Sequence, residues 1–239
     1  MKLNYLSNYM NIFLEKWNFI IRISSIIYTW GFIVFIKFIP YEIYYGIKFN
    51  SKTLFSLSSN ELDVSKIEKE HSTEYIPTPF YIAHKIFFRL QNKLIDSEFV
   101  DFGCGAGRIL MFVSHFKPKK IIGIEFSKKL CECAISNLNL HFSKYPHFEC
   151  EWYVEHCNAI NYQIGNNENI FFLYDPFNAN TMEQIVNNIL ISLNNIPREI
   201  FIIYVSPIHK NVLIEKGFST IISEINQHNK GFIILTNNK

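Results

Sequence analysis

Two stretches of this sequence hold residues that could do chemistry together. The first is FVDFGCGAGRIL, residues 99–110. Asp101 stands two residues before Gly103, and Gly105 and Gly107 follow at alternate positions. Glycines in such a turn let the backbone come close to a ligand and adopt dihedrals other residues avoid. A carboxylate just ahead of them suits an ammonium group, directly or through water. The second stretch is IIGIEF, residues 121–126, where Glu125 lies 22 residues after Gly103. A carboxylate at that place can accept two hydrogen bonds from the vicinal hydroxyls of a ribose. Together these residues could grip a small ligand that is cationic at one end and carries a ribose.

Such a grip needs an alternating scaffold, and the sequence supplies one from about residue 79 onward. Helices are predicted at Pro79–Asn92, Gly107–Phe116, Ser127–Phe142 and 180–194. Strands are predicted at 97–102, 119–126, 149–157, 169–175, 198–206, 218–225 and 230–237. Alternating βα units imply a parallel sheet covered by helices, with ligands bound along the carboxyl ends of its strands. The last two strands are too close in sequence for a parallel crossover, so they form an antiparallel hairpin. The fold class is therefore α/β, a Rossmann-like seven-stranded sheet, mostly parallel with a C-terminal antiparallel hairpin. That ending belongs to the seven-stranded methyltransferase sheet and not to the dinucleotide-binding one.

A dinucleotide site would want a third glycine at position 108. Position 108 is Arg, and an acid precedes the first glycine by two residues. Both features favour S-adenosyl-L-methionine. The expected cofactor residues are Asp101, Gly103, Cys104, Gly105, Gly107, Arg108, Glu125 and Phe126. Asn158 and Ala159, after the third strand, stand where the adenine would be read, and an Asn carbonyl can accept from its amino group. The fourth strand ends in Tyr174-Asp175-Pro176-Phe177, facing the methyl group. Asp175 is expected to touch the cofactor as well, and to accept a hydrogen bond or a proton from a donor amine. Pro176 sets the turn and Phe177 could stack on a planar substrate or face the methyl cation. Upstream, Tyr75 could fold over the cofactor, while Thr78 before Pro79 reads as a helix N-cap.

Outside this domain the sequence says less. The chain has 239 residues, 49% of them hydrophobic, enough for one sizeable α/β domain with an extension. The expected layout is an apolar helical extension over 1–50, a linker or cap over 51–78 and the α/β domain over 79–239. Residues 17–40 are apolar and aromatic, but the uncharged run between Arg22 and Lys37 is 14 residues. A spanning helix needs about 20, so a packing helix or oligomer contact comes first, an interfacial helix second and a spanning one last. A net charge of +2 offers no strong case for nucleic acid. Five cysteines at spacings that form no framework, with no signal peptide or metal-ligand pattern, fit a reduced cytoplasmic protein. Peripheral membrane contact through residues 17–40 belongs to the second-ranked, interfacial alternative.

The motifs EYIPTP, FVDFGCGAGRIL, IIGIEFSKKL, FFLYDPF and IIYVSPIH, in this order, resemble a family of small bacterial class I S-adenosylmethionine-dependent methyltransferases. The likeness runs from about residue 60 to 215 and is more distantly shared with protein-lysine methyltransferases. It implies that Asp101, Gly103, Gly105, Arg108 and Glu125 line the cofactor site, with Asp175, Pro176 and Phe177 near the methyl group. The sequence departs from the family's pattern in three places. Cys104 and Ala106 replace Ser and Lys, Asp175 replaces Asn, and Ser206 replaces the Asn before Pro207. The expected activity is methyl transfer to an N or O atom of a protein side chain or small molecule. The alternative is a non-catalytic cofactor-binding scaffold held at a membrane. The Asp-Pro-Phe turn also evokes the Asp-Pro-Pro-Tyr motif of amino-directed DNA enzymes, but the second proline is missing and no recognition domain is present.

Overall fold

Strand and helix alternate as the apolar pattern demands. The computed structural model describes residues 32–49, 53, 76–174, 177–226 and 229–238. Its elements in chain order are α1 (Phe32–Phe49), α2 (Phe80–Arg89), α3 (Gln91–Leu94), β1 (Glu98–Phe102), α4 (Arg108–Val113), β2 (Lys120–Glu125), α5 (Lys128–Lys144), β3 (Glu151–His156), β4 (Glu168–Tyr174), α6 (Ala179–Asn195), β5 (Phe201–Val205), α7 (Lys210–Glu215), β6 (Ser219–Ile225) and β7 (Gly231–Thr236). The strands form one sheet in the order β3-β2-β1-β4-β5-β7-β6. The pairs β3–β2, β2–β1, β1–β4 and β4–β5 are parallel, and β7 runs antiparallel to both β5 and β6. This is the seven-stranded arrangement expected from the sequence. The hairpin inserts its second strand, β7, next to β5 and leaves β6 at the edge.

Side chains alternate across the sheet. Phe99, Ile170, Phe172, Phe201 and Ile203 face one core with α1, α2, α4 and part of α5. Val100, Phe102, Phe171, Leu173 and Ile202 face a second core beneath α6 and α7. The strand centres are therefore apolar on both faces, as a covered parallel sheet requires.

The structure corrects several local expectations. The first domain helix is not continuous over Pro79–Asn92; it breaks at Leu90, giving α2 and the single turn of α3. Thr78 does not cap α2. Pro79 occupies the cap position without a side-chain bond, and the Phe80 N–H donates to Glu42 Oε1 at 2.7 Å. A carboxylate from α1 thus satisfies an orphan N–H and complements the helix dipole, and the Thr78 carbonyl accepts from Arg108 Nη1. The fifth strand starts at Phe201 because Arg198 is drawn away, donating to the carbonyls of Glu168, Ser192 and Gly165. The short helix α7 was not expected from the sequence.

α1 enters the first core through Phe38, Tyr45 and Phe49. Tyr45 and Phe49 pack on Phe80 with ring centroids 5.2 and 5.5 Å apart, and Tyr45 on Phe112 at 4.9 Å. Beside them, His115 and His141 lie 5.3 Å apart, with Ser114 Oγ 2.8 Å from His141 Nε2. Burial lowers the His115 pKa to about 3 and that of His141 to about 4, helped by Lys48 in both cases. Both imidazoles are therefore neutral in the fold. Their folded pKa values lie below the unfolded value of about 6.5, so their contribution is complete above that pH and is lost as pH falls towards 3–4. By pH 5 each histidine should cost about 1–2 kcal/mol, allowing for the water that still reaches them. Thermal melts between pH 7.5 and 4.5 should show this decline, and His141→Gln should flatten it. An equally steep decline in the variant would remove His141 from the account.

Candidate functional site

The turn after β1 is built by its glycines. Gly103, Gly105 and Gly107 have φ of 78°, 54° and 79°, in the left-handed region. A side chain at Gly107 would also come within 3.3 Å of Ala134 Cβ on α5. The turn is tied down from three sides. The Gly103 and Cys104 N–H groups donate to the Ile124 carbonyl, Asn137 Nδ2 donates to the Ala106 carbonyl, and the Met111 N–H donates to the Gly107 carbonyl. Beneath the turn, a Cβ on Gly123 would lie 2.6 Å from Cys104 Sγ, so β2 needs a glycine there to let the loop settle. Cys104 itself is buried. Burial, then Asp101 and Glu125, hold its thiol pKa well above the usual range, so it is no nucleophile.

Two carboxylates flank this turn at the carboxyl edge of the sheet. Asp101 and Glu125 are both buried. Glu125 Oε2 accepts from the Gly105 N–H and Oε1 from the Ser127 N–H, each at 2.9 Å. Burial raises the Glu125 pKa, and the Ser127 and Gly105 donors pull against it. Asp101 has no such relief. Its pKa is raised well above the ordinary carboxylate value, first by burial and then by the Glu125 charge. A cation placed between the two would offset both effects.

The structure brings Asp101, Gly103, Cys104, Gly105, Gly107, Glu125 and Phe126 into one region. Arg108 starts there but points elsewhere. Its Nη1 donates to Glu42 Oε2 at 2.8 Å and to the Thr78 carbonyl at 3.2 Å, and its Nε donates to Thr53 Oγ1 at 3.2 Å. Its guanidinium carbon sits 4.1 Å from the centre of the Phe80 ring. Asn158 caps a short 3-10 turn over Ala159–Asn161, its Oδ1 accepting from the Ile160 N–H at 3.2 Å. Ala159 is buried beside it. Phe177 is half-buried against the second core. Asn178 follows and caps α6, accepting from the Thr181 N–H. Tyr75, Asp175 and Pro176 lie outside the described residues.

Two residues at the same edge were not among the candidates. His156 is paired in register with Glu125, and its Nε2 donates to the Phe126 carbonyl at 2.9 Å. Aligning the ends of β2 and β3 would have found it. Ser206 follows the last residue of β5, beside Tyr174 at the end of β4. Its φ is +51° and its Oγ is buried with no hydrogen-bond partner. The strand end, the following Pro207 and the departure from the family's Asn mark it in the sequence. Strain of this kind in a non-glycine residue concentrates at functional sites.

No protein-family model and no curated protein matches the chain. Solved structures resemble it in fold. Magnesium protoporphyrin IX methyltransferase from Synechocystis, solved with S-adenosylmethionine bound, is 13% identical over 64% of this chain and 76% of its own, with a TM-score of 0.47. A ribosomal-RNA methylase from Streptococcus thermophilus is 15% identical over 68% of this chain and 96% of its own, with a TM-score of 0.44.

Proposed function

We propose that this chain is an S-adenosylmethionine-dependent methyltransferase acting on an N or O atom of a small molecule or protein side chain. The observation that carries the reading is the pair of buried carboxylates around a left-handed glycine turn, with Asp101 held at a raised pKa by burial and by Glu125. The residues fit the cofactor. Asp101 offers its charge to the ammonium of the methionine end. Glu125 Oε2 accepts from the Gly105 N–H and Oε1 from the Ser127 N–H, and the carboxylate keeps lone-pair capacity for the ribose hydroxyls. Asn158 and Ala159 close the adenine end, and His156 borders it from the end of β3.

S-adenosylmethionine supplies a methyl group already activated on a sulfonium. The protein's task is then mainly positioning, so a strong base is not required. Asp175, directly after the last residue of β4, is proposed to orient the acceptor and take its proton, with Pro176, Phe177 and Tyr75 shaping the acceptor side. Replacing Asp175 by Ala should lower turnover about 100-fold or more while leaving S-adenosylhomocysteine affinity within a few-fold. Calorimetric binding and an S-adenosylhomocysteine-production assay over acceptor pools separate the two quantities. Equal turnover in the variant would remove Asp175 from the site. A thermal shift with NAD and none with S-adenosylhomocysteine would sink the cofactor reading.

A second reading, a cofactor-binding scaffold without catalysis, draws on the same geometry. Glu125 closes the glycine turn through Gly105, a contact that serves cofactor binding whether or not transfer follows. Binding with no product over any acceptor pool would favour it.

A further inference from the structure

The outer face of α1 is apolar where a surface helix is ordinarily polar. Ile36, Ile39, Ile43 and Ile47 are 51, 44, 58 and 74% exposed. Their spacing places them in one stripe along the helix. The opposite stripe, Phe38, Tyr45 and Phe49, is buried in the first core. A helix that is apolar on both sides requires cover on both sides. Tyr44 and Phe88, also exposed, extend the stripe sideways into an open aromatic recess between α1 and α2.

The charges beside the stripe have one sign. Lys37 and Lys48 stand eleven residues apart, three turns, on the flank that carries Tyr44. Lys144 joins them from the end of α5, its Nζ donating to the Lys48 carbonyl at 2.7 Å. Burial and then the Lys144 charge lower the Lys48 pKa. No carboxylate pairs with Lys37, Lys48 or Lys144 among the described residues. The only acid on the helix, Glu42, is turned inward to Arg108 and Phe80. The sequence entering the helix adds Trp17, Arg22, Tyr28 and Trp30 to the same character. Among the described residues no helix is long and apolar enough to cross a membrane.

We infer that α1 lies along the surface of an anionic bilayer, its isoleucine stripe among the acyl chains and Lys37, Lys48 and Lys144 against the headgroup phosphates. Aliphatic residues flanked by tyrosine and lysine form the pattern of an interfacial helix. Two signals, apolar insertion and basic attraction, are what stable peripheral binding takes. A second copy of the chain is the poorer occupant. A two-fold pair would bring like cations towards one another, and the helix itself has no outward acid to answer them.

The test uses the full chain and sedimentation with two kinds of vesicle, phosphatidylcholine alone and phosphatidylcholine with an equal part of phosphatidylglycerol. The chain should bind the anionic vesicles, more weakly at high salt, and barely bind the neutral ones. The double variant Ile43→Glu, Ile47→Glu should lose about tenfold or more of that binding with an unchanged circular dichroism spectrum. Both positions are exposed, so the fold should tolerate the change. Four outcomes would overturn the inference. The chain stays in solution with both vesicles, or binds both equally. The wild type is a dimer that the variant splits, without vesicle binding. The variant melts lower without lipid, which would mean that the chain's own residues cover the stripe. Vesicle binding needs no ligand in the glycine turn, so its failure leaves the methyltransferase reading untouched.

Discussion

Asp101→Asn should weaken S-adenosylhomocysteine binding about 30-fold to 100-fold and, in the same protein, raise the melting temperature. The two effects have one cause. Asp101 is buried, and both influences on its pKa, burial and the Glu125 charge, raise it. Its ionised form is therefore costly in the empty fold. An amide of the same shape removes that cost, and about 1 kcal/mol of gain would raise the melting temperature by about 2–4 °C. The same amide loses the charge-assisted contact to the ligand's ammonium, about 2–3 kcal/mol. The stability gain has a pH signature. A carboxylate whose folded pKa is raised destabilises the fold only above its unfolded pKa of about 4, so the advantage of the variant should grow as pH rises through the window above 4. Calorimetric titration and melts at pH 4, 6 and 8 test both halves. A variant that binds as the wild type does would remove Asp101 from the ligand site. One that melts lower would make it a structural residue.

The second large effect is expected at Arg108. Its guanidinium, 3% exposed, is held by Glu42, Thr53 and Thr78 and stacked on Phe80. It joins α1 to the helix that begins at the glycine turn. Arg108→Met keeps most of the stem but takes the guanidinium donor from Glu42 Oε2 and from the Thr78 carbonyl. Removing one partner of a buried pair costs about 3–5 kcal/mol. Glu42 is a quarter exposed, so the lower end applies, and the melting temperature should fall by about 6–12 °C. Ligand affinity should change less than about threefold, because the guanidinium points away from Asp101 and Glu125. Glu42→Gln should cost less than Arg108→Met, since an amide can still accept from the Phe80 N–H. If Arg108→Met instead loses affinity with an unchanged melting temperature, the arginine belongs at the ligand, as the family resemblance implies.

These two residues sit seven positions apart in one motif, and they divide what was legible from what was not. Local rules sufficed for the glycine turn. Alternating apolar runs, an acid before three glycines and a second acid one strand later follow from backbone chemistry and short-range periodicity. The strand count, the closing hairpin and the neighbourhood of Asp101 and Glu125 could therefore be read from the chain alone. Arg108 could not. Its partners Glu42, Thr53 and Thr78 lie 66, 55 and 30 residues away, and no local pattern states which distant segment a long flexible side chain will meet. The cap of α2 followed the same logic. Thr78 had the right local chemistry, yet a carboxylate from α1 took the place. The insertion of β7 beside β5, the neutral His115–His141 pair and the unpartnered Ser206 hydroxyl also depend on what packs against what. The sequence by itself determined the fold class and the glycine turn between two acids, because both rest on interactions between near neighbours. Only the tertiary structure decided that Arg108 braces the N-terminal helix and that the helix's isoleucines face outward, because both are set by contacts between segments far apart in the chain.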